Sequence, residues 1–151
     1  MSKTLFAFSA AALAVVSVAA HAQFAKPEDA IRYRQSAYVI MGAQMGKIAA
    51  QLKSDKPDLA QIQRSAGVVD FVSQLPGEGY VPGSEKGGNP PTRAKAEAFT
   101  DPKIREVGKA MRTEVIKLVE VSKGGDIAAI RTQFQATAKS CDSCHDNYRN
   151  K

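Results

Sequence analysis

Apolar residues in the first part of the chain recur at the spacing of an amphipathic helix. Between residues 27 and 53 they occur in steps of three and four, which places them on one side of a helix. The apolar positions are Ile31, Tyr38, Met41, Met45, Ile48 and Leu52, and Arg34 shares their spacing. Pro27 and Glu28 suit the first turn of a helix over residues 27–53. Since Gly42 and Gly46 each cost about 1 kcal/mol inside a helix, we expect a close backbone approach there.

Three further stripes of the same kind follow. They run from Leu59 to Leu75, from Ile104 to Leu118 and from Ile127 to Tyr148. Thr100 and Asp101 can cap the third helix, with Pro102 in its first turn, and it stops at Gly124–Gly125. Asp126 is placed to cap the fourth. With no useful strand-like alternation, the pattern predicts an all-α fold, an antiparallel four-helix bundle in up-down-up-down order.

A long connection separates the second and third helices. Residues 76–100 contain five glycines and four prolines, which leave room only for a short helix near residues 94–99. We therefore expect a long functional loop. Its apolar points, Tyr80 and Val81, are placed to fold over the edge of a bound group.

The first 22 residues differ in composition from the rest of the chain. Lys3 is followed by an uncharged, Ala-rich stretch that ends in Ala20-His21-Ala22, the small-x-small pattern that precedes a cleavage site. We predict that residues 1–22 are a signal peptide and that residues 23–151 form one domain in the periplasm. A retained membrane anchor is the alternative, although the apolar stretch is short for a membrane span. No other segment is expected to cross a bilayer.

Charge and cysteine content narrow the possible functions. The formal net charge is +6, but the basic residues are dispersed among acidic ones, so we do not expect nucleic acid binding. The two cysteines lie three positions apart and exclude a long-range disulfide framework. If residues 1–22 are removed, His145 is the only histidine that remains.

The chemistry is concentrated in Cys141-Asp142-Ser143-Cys144-His145. This is the pattern of covalent haem attachment, in which two thiols bond to the haem vinyl groups and the following histidine ligates iron. On a helix, the two cysteines share one face and His145 follows one turn after Cys141. The motif predicts one c-type haem per chain, with Cys141 and Cys144 as attachment points and His145 as the iron ligand.

Two other types of site use similar residues. A reactive dithiol is typically found near a helix N-terminus after a strand, whereas these cysteines lie near a helix C-terminus. A zinc site needs a fourth ligand, and residues 23–151 contain no further cysteine or histidine. Both alternatives are weaker than haem attachment.

The chain resembles the cytochrome c′ family, the class II c-type cytochromes. The resemblance rests on CDSCHDNYR at the C-terminal end, residues 141–149, and on YRQSAYVIMGAQMGKI in the first helix, residues 33–48. It extends over the whole mature sequence. It implies a four-helix bundle with haem near one end, often in a homodimer built from the first two helices.

The resemblance also implies roles for individual residues. Arg34 and Gln35 are expected near the haem propionates, Tyr38 on the distal side, Met41 against the ring, and Arg149 beside the proximal imidazole. Each has a simpler alternative. Arg34 can extend to solvent, Tyr38 and Met41 can be ordinary core residues, and Arg149 can be a favourable cation at a helix C-terminus.

The sixth coordination position of the haem iron, opposite His145, decides the function. If it is free, a pentacoordinate, high-spin haem behind Tyr38 would bind nitric oxide or carbon monoxide in an apolar pocket, with electron transfer as a further role and no enzymatic activity. If Met41, or less favourably Met45 or Met111, fills it, the protein is a low-spin electron carrier. A third hypothesis is a haem-free interaction module.

Overall fold

The computed structural model describes residues 23–151, in which all named secondary-structure elements are helical. They are α1 (Pro27–Lys53), α2 (Leu59–Val72), a 3-10 helix (Pro76–Gly79), the short α3 (Glu97–Thr100), α4 (Lys103–Gly124) and α5 (Ile127–Tyr148). None of the helices in this part of the chain is long and apolar enough to cross a bilayer. The predicted signal peptide, residues 1–22, lies outside the described residues.

Helix ends follow the local signals in the sequence. The Asp126 carboxylate accepts hydrogen bonds from the backbone N–H groups of Ala128 and Ala129, and therefore caps α5 as predicted. Gly125 adopts a φ of 77°, a left-handed conformation that ends α4 at little cost because glycine has no Cβ. At the start of α4, the Asp101 carboxylate accepts from the N–H of Lys103.

Two element boundaries differ from the prediction. Helix α2 ends at Val72 rather than Leu75, because the chain turns there and enters the 3-10 helix that begins at Pro76. The short helix lies at Glu97–Thr100 rather than near residues 94–99. Ala94 instead forms an isolated antiparallel bridge with Arg149, which holds the backbone before α3 in a non-helical conformation.

The four long helices form the predicted up-down-up-down bundle, with α1 against α2, α2 against α4, and α4 against α5. The α1–α2 and α4–α5 connections are short. At one end of the bundle, Arg34 of α1 contacts the loop that follows α2, and Tyr148 of α5 donates a hydrogen bond to Asp101 before α4. The start of α1, the end of α2, the start of α4 and the end of α5 therefore meet there. We call this the loop end.

Apolar packing is divided between the two ends. Away from the loop end, a cluster joins all four long helices, with buried Ile48, Leu52, Ile62, Ala66, Leu118 and Ile130 at its centre. Towards the loop end, a smaller cluster contains Ala37, Met41 and Val72, with Leu75 and Met111 packed against it. The larger cluster therefore links the four long helices through apolar burial.

The glycines that permit close approach are in the loop and not in α1. A Cβ on Gly42 or Gly46 would meet nothing within 4 Å, so the expected close approach within this chain is wrong. In contrast, a Cβ on Gly79 would lie 2.8 Å from the Ala30 carbonyl oxygen, and one on Gly88 would lie 2.7 Å from an Ile31 methyl carbon. These loop glycines allow the connection to pack directly on the first turns of α1.

Candidate functional site

The haem-attachment motif occupies the last turns of α5, at the loop end of the bundle. Cys141 and Cys144 are free, half-buried thiols that continue the inward stripe of Ile130, Thr137 and Tyr148. His145 is exposed and lies next to this stripe. The helix thus presents both thiols on one side, as the spacing predicts.

Burial determines the protonation of the two thiols. It raises the pKa of both Cys141 and Cys144 above the ordinary value for cysteine. A reactive dithiol needs the opposite shift, so the electrostatics do not favour that alternative. Among residues 23–151, no three His, Cys, Asp or Glu side chains converge in an arrangement that could hold a metal ion.

Tyr38 lies on α1 and its hydroxyl is 3.1 Å from that of Tyr80 in the loop. Burial raises the pKa of both tyrosines. The contact joins α1 to the loop at the end of the bundle where α5 carries the attachment motif. The structure therefore places Tyr38 at the same end as the motif, with Tyr80 beside it.

Arg34 is 2% exposed and is held by the loop rather than by solvent. Its Nη1 donates to the Gly79 carbonyl and the Ser84 hydroxyl, at 2.7 and 2.9 Å. Its Nη2 donates to the Ser84 carbonyl and the Thr92 hydroxyl, at 2.6 and 2.9 Å. The alternative in which Arg34 extends to solvent is wrong. The role beside the haem propionates stays a prediction, because the observed partners all belong to the loop.

Gln35 and Met41 have different environments. The Gln35 side-chain amide donates to the carbonyls of Pro90 and Pro91, at 3.1 and 3.2 Å, and so adds a second attachment between α1 and the loop. Met41 is buried in the smaller apolar cluster, where Val72 of α2 and Met111 of α4 are its neighbours. The sequence pattern alone did not show that Gln35 binds the loop whereas Met41 lies in the core.

Arg149 directly follows α5 and lines a surface cavity of about 350 Å³ together with His145, Arg93 and Lys95. The His145 pKa is lowered, first by partial burial and then by the positive charge of Arg149. The structure therefore brings Arg149 near the His145 imidazole, where the resemblance expects it. The same position is also favourable for a cation at a helix C-terminus.

Several residues of the site were not singled out from the sequence. Ser84 and Thr92, which accept from Arg34, carry no signal beyond being polar residues in a loop. Phe99 packs against Tyr80 with ring centroids 5.1 Å apart. Tyr80, unlike these residues, was marked in advance with Val81 as an apolar point of the loop.

The residues present fit a covalently attached haem. The donor set consists of two protonated thiols on one helix face and an accessible imidazole one turn along, which is the set that c-type attachment uses. Two tyrosines in mutual contact lie at the same end of the bundle. No further cysteine or histidine in residues 23–151 competes for these roles.

Comparison with known proteins agrees with this chemistry. The profile of the family described as Cytochrome C′ matches residues 29–149. Cytochrome c′ of Alcaligenes xylosoxydans xylosoxydans is 36% identical over 85% of this chain and 99% of its own length. The nitric oxide complex of a variant of cytochrome c prime from Alcaligenes xylosoxidans superposes with a TM-score of 0.77 and 35% identity, covering 85% of this chain and 99% of that one.

A further cytochrome c′ structure, described as having an unusual ligand-controlled dimer dissociation, has a TM-score of 0.79 and 32% identity. The match covers 83% of this chain and 98% of that one. Sequence motif, helical architecture and whole-length similarity therefore agree, and the chain belongs to the cytochrome c′ family.

Proposed function

We propose that this protein is a periplasmic cytochrome c′ that carries one c-type haem and binds nitric oxide or carbon monoxide. Cys141 and Cys144 attach the haem, His145 ligates its iron on one face, and Tyr38 covers the opposite face. The observation that carries the proposal is the placement of both half-buried thiols on the inward side of α5, next to an accessible histidine.

Attachment requires no oxidant. Each thiol adds across one vinyl double bond, so that a carbon–sulfur bond forms and the thiol hydrogen ends on the other vinyl carbon. The two cysteines are one helical turn apart and on the same face, which allows both to reach one edge of a porphyrin. When bound, the haem would supply an iron that His145 holds and that could bind a small gas molecule.

The other axial position is proposed to be free of a protein ligand. Met41 is packed between α1, α2 and α4 in an apolar cluster, which favours a structural role for its thioether over ligation. Tyr38 stays protonated at neutral pH, because its pKa is raised from 10 by burial and by Tyr80, and a neutral phenol is a weak iron ligand. Both observations favour a pentacoordinate, high-spin haem over the His/Met alternative.

The proposed gas ligand follows from the open position and from the family. A nitric oxide complex is known for a variant of the Alcaligenes xylosoxidans protein, which shares 35% identity with this chain. Tyr38 and Tyr80, whose hydroxyls are paired, would line the distal side. The ligand therefore meets two aromatic rings and a paired hydroxyl group.

We also propose that two copies associate through α1 and α2. Exposed apolar residues on these two helices include Val39, Ile40, Val68 and Phe71. Ala37 and Val72 share a cluster, so Val39 and Phe71 lie at about the same level of the antiparallel α1–α2 pair. Gly42 and Gly46, whose Cβ positions meet nothing in this chain, are also on α1. We call the exposed side of these two helices the α1–α2 face.

The test combines mass and spectra of the protein expressed with haem-maturation machinery. We expect the mass of residues 23–151 plus one haem, a high-spin spectrum of the oxidised protein, and carbon monoxide binding by the reduced protein. Cys144→Ser is expected to lose one of the two thioethers, whereas the matched change Ser143→Ala should leave the spectrum unchanged. A low-spin spectrum with a sulfur-to-iron band and no carbon monoxide binding would contradict the proposal.

A further inference from the structure

The contact between Tyr38 and Tyr80 joins α1 to the long loop. Neither haem attachment nor ligation by His145 requires a second tyrosine at this point. The ring of Tyr80 is positioned by residues from two other elements, and its hydroxyl contacts that of Tyr38. The arrangement therefore needs an explanation of its own.

We propose that Tyr80 is a second distal residue, which forms with Tyr38 a hydrogen-bonded pair that an incoming ligand must separate. This inference rests on the proposed function. It assigns to the loop a direct part in the access of ligands to the distal face, and it makes Tyr80 a residue that determines the rate of binding.

The pair lies at the loop end of the bundle. Tyr38 and Tyr80 are in contact there, at the same end of the bundle as the attachment motif of α5. Tyr33 offers a contrast on the same helix. Its hydroxyl is directed at Glu78 on the surface, at 2.7 Å, and its ring packs against Phe24. Of these α1 tyrosines, only Tyr38 therefore faces the site.

The two tyrosines differ in how firmly their rings are held. The ring of Tyr80 lies against Phe99, and the Arg34 guanidinium carbon lies 5.1 Å from its ring centroid. Arg34 also binds the carbonyl of Gly79, the residue before Tyr80. Tyr38 is 38% exposed. Tyr80 is thus the fixed partner, and its hydroxyl holds the more exposed Tyr38 in place.

The contact between Tyr38 and Tyr80 leaves one hydroxyl hydrogen unused. Only one of the two hydroxyl hydrogens can lie between the oxygens, so the tyrosine that accepts keeps its own O–H hydrogen for another partner. Burial keeps both phenols protonated at neutral pH. The pair therefore presents one neutral O–H donor near the distal face, and the loss of either hydroxyl breaks the same bond.

The experiment compares Tyr80→Phe, Tyr38→Phe and the double variant in the reduced haem protein, with Tyr33→Phe as the matched control. Phenylalanine keeps the ring packing and removes only the hydroxyl. Since one hydrogen bond is lost, we expect Tyr80→Phe to accelerate carbon monoxide association about fivefold. The double variant should bind little faster than either single variant, because both changes remove one shared contact.

A second readout does not depend on binding rates. Separation of the tyrosines should speed hydrogen exchange of loop amides in residues 79–92 when carbon monoxide is bound to the wild type. In Tyr80→Phe, exchange should already be fast without the gas. Association rates equal to those of Tyr33→Phe, or additive effects of the two distal changes, would overturn the inference. If the wild type binds no carbon monoxide, the proposed five-coordinate site itself fails.

Discussion

Two surface carboxylates show how single residues connect distant segments of the chain. Glu78 accepts hydrogen bonds from the Tyr33 hydroxyl and the Gln23 side-chain amide, at 2.7 and 2.8 Å. Asp101 accepts from the Tyr148 hydroxyl at 2.8 Å. The pKa of Glu78 is lowered by its bonds with Gln23 and Tyr33, and the pKa of Asp101 is lowered first by the Lys103 N–H and then by Tyr148, because each bond favours the ionised form. The carboxylates therefore stabilise the fold more when they are ionised.

Glu78 gives a pH-dependent prediction. Its pKa in the folded protein is below the unfolded value of about 4.3, so its contribution is complete above that value and is lost as pH falls through the folded pKa. In Glu78→Gln, the free energy of unfolding should be lower than in the wild type at neutral pH. The difference should disappear in strong acid. Urea denaturation at a series of pH values measures it.

Glu120→Gln is the control for this experiment. Its carboxylate pairs with the exposed Lys123 on the same helix, a type of contact worth about 0.3–0.5 kcal/mol. We expect only a small difference from the wild type at any pH. A Glu78 variant that behaves like the Glu120 variant would show that the contacts with Tyr33 and Gln23 do not stabilise the fold.

At the scale of elements, the long loop is attached at both of its ends. Arg34 and Gln35 of α1 bind its residues between Gly79 and Thr92. Near α3, the Lys95 N–H donates to the Tyr148 carbonyl, and the Arg93 carbonyl accepts from the Asn150 N–H. The loop therefore contacts both the helix that bears Tyr38 and the end of the helix that bears His145.

Arg34→Lys tests the first attachment. Lysine keeps the charge but has one nitrogen, and so it cannot reproduce the four hydrogen bonds to Gly79, Ser84 and Thr92. Because buried acceptors would lose their donors, we expect the free energy of unfolding to fall by about 2 kcal/mol or more. Amide exchange of residues 79–92 should become faster in the same variant.

Arg32→Lys provides the matched comparison for Arg34→Lys. Arg32 is exposed on the same helix and pairs with Asp29 at the surface. Its replacement should change stability by less than about 0.5 kcal/mol. Equal effects of the two changes would mean that the observed Arg34 contacts do not order the loop.

The sequence predicted the helices better than the loop, and the reason is physical. Helix spacing and caps such as Asp126 depend on residues within a few positions of each other. The contacts of Arg34 with Gly79 and Thr92 join residues 45 and 58 positions apart, and no periodic pattern marks them. The attachment motif was recognisable because its function requires cysteines at one fixed local spacing. Tyr80 was predicted to fold over a bound group, but its pairing with Tyr38 could be seen only in the folded loop.

At the scale of the whole molecule, the two ends of the bundle contain different groups of residues. The large apolar cluster joins all four long helices at one end. The attachment motif, the tyrosines and the loop lie at the other end. Stability and chemistry are thus separated along the bundle. The exposed apolar residues of the α1–α2 face lie on α1 and α2, and we propose that a second copy covers them.

Association through this face predicts a specific effect of charge. Phe71 is 68% exposed on α2, and Phe71→Glu should convert a dimer into monomers because it would bury a carboxylate at the interface. Ile116→Glu is the control, since Ile116 is 45% exposed on α4, outside this face. Analytical ultracentrifugation of the haem-loaded protein measures both. Dissociation by the Ile116 change alone, or a monomeric wild type, would contradict the proposed dimer.

The double attachment of the loop also limits how its length can vary. Surface loops usually tolerate insertions and deletions, because few contacts fix their backbone. Here an added or missing residue between Thr92 and Lys95 would displace either the Arg34 contact or the pairing with Tyr148. Within this short stretch, relatives that keep both attachments are therefore expected to keep the same number of residues even where the residue types change.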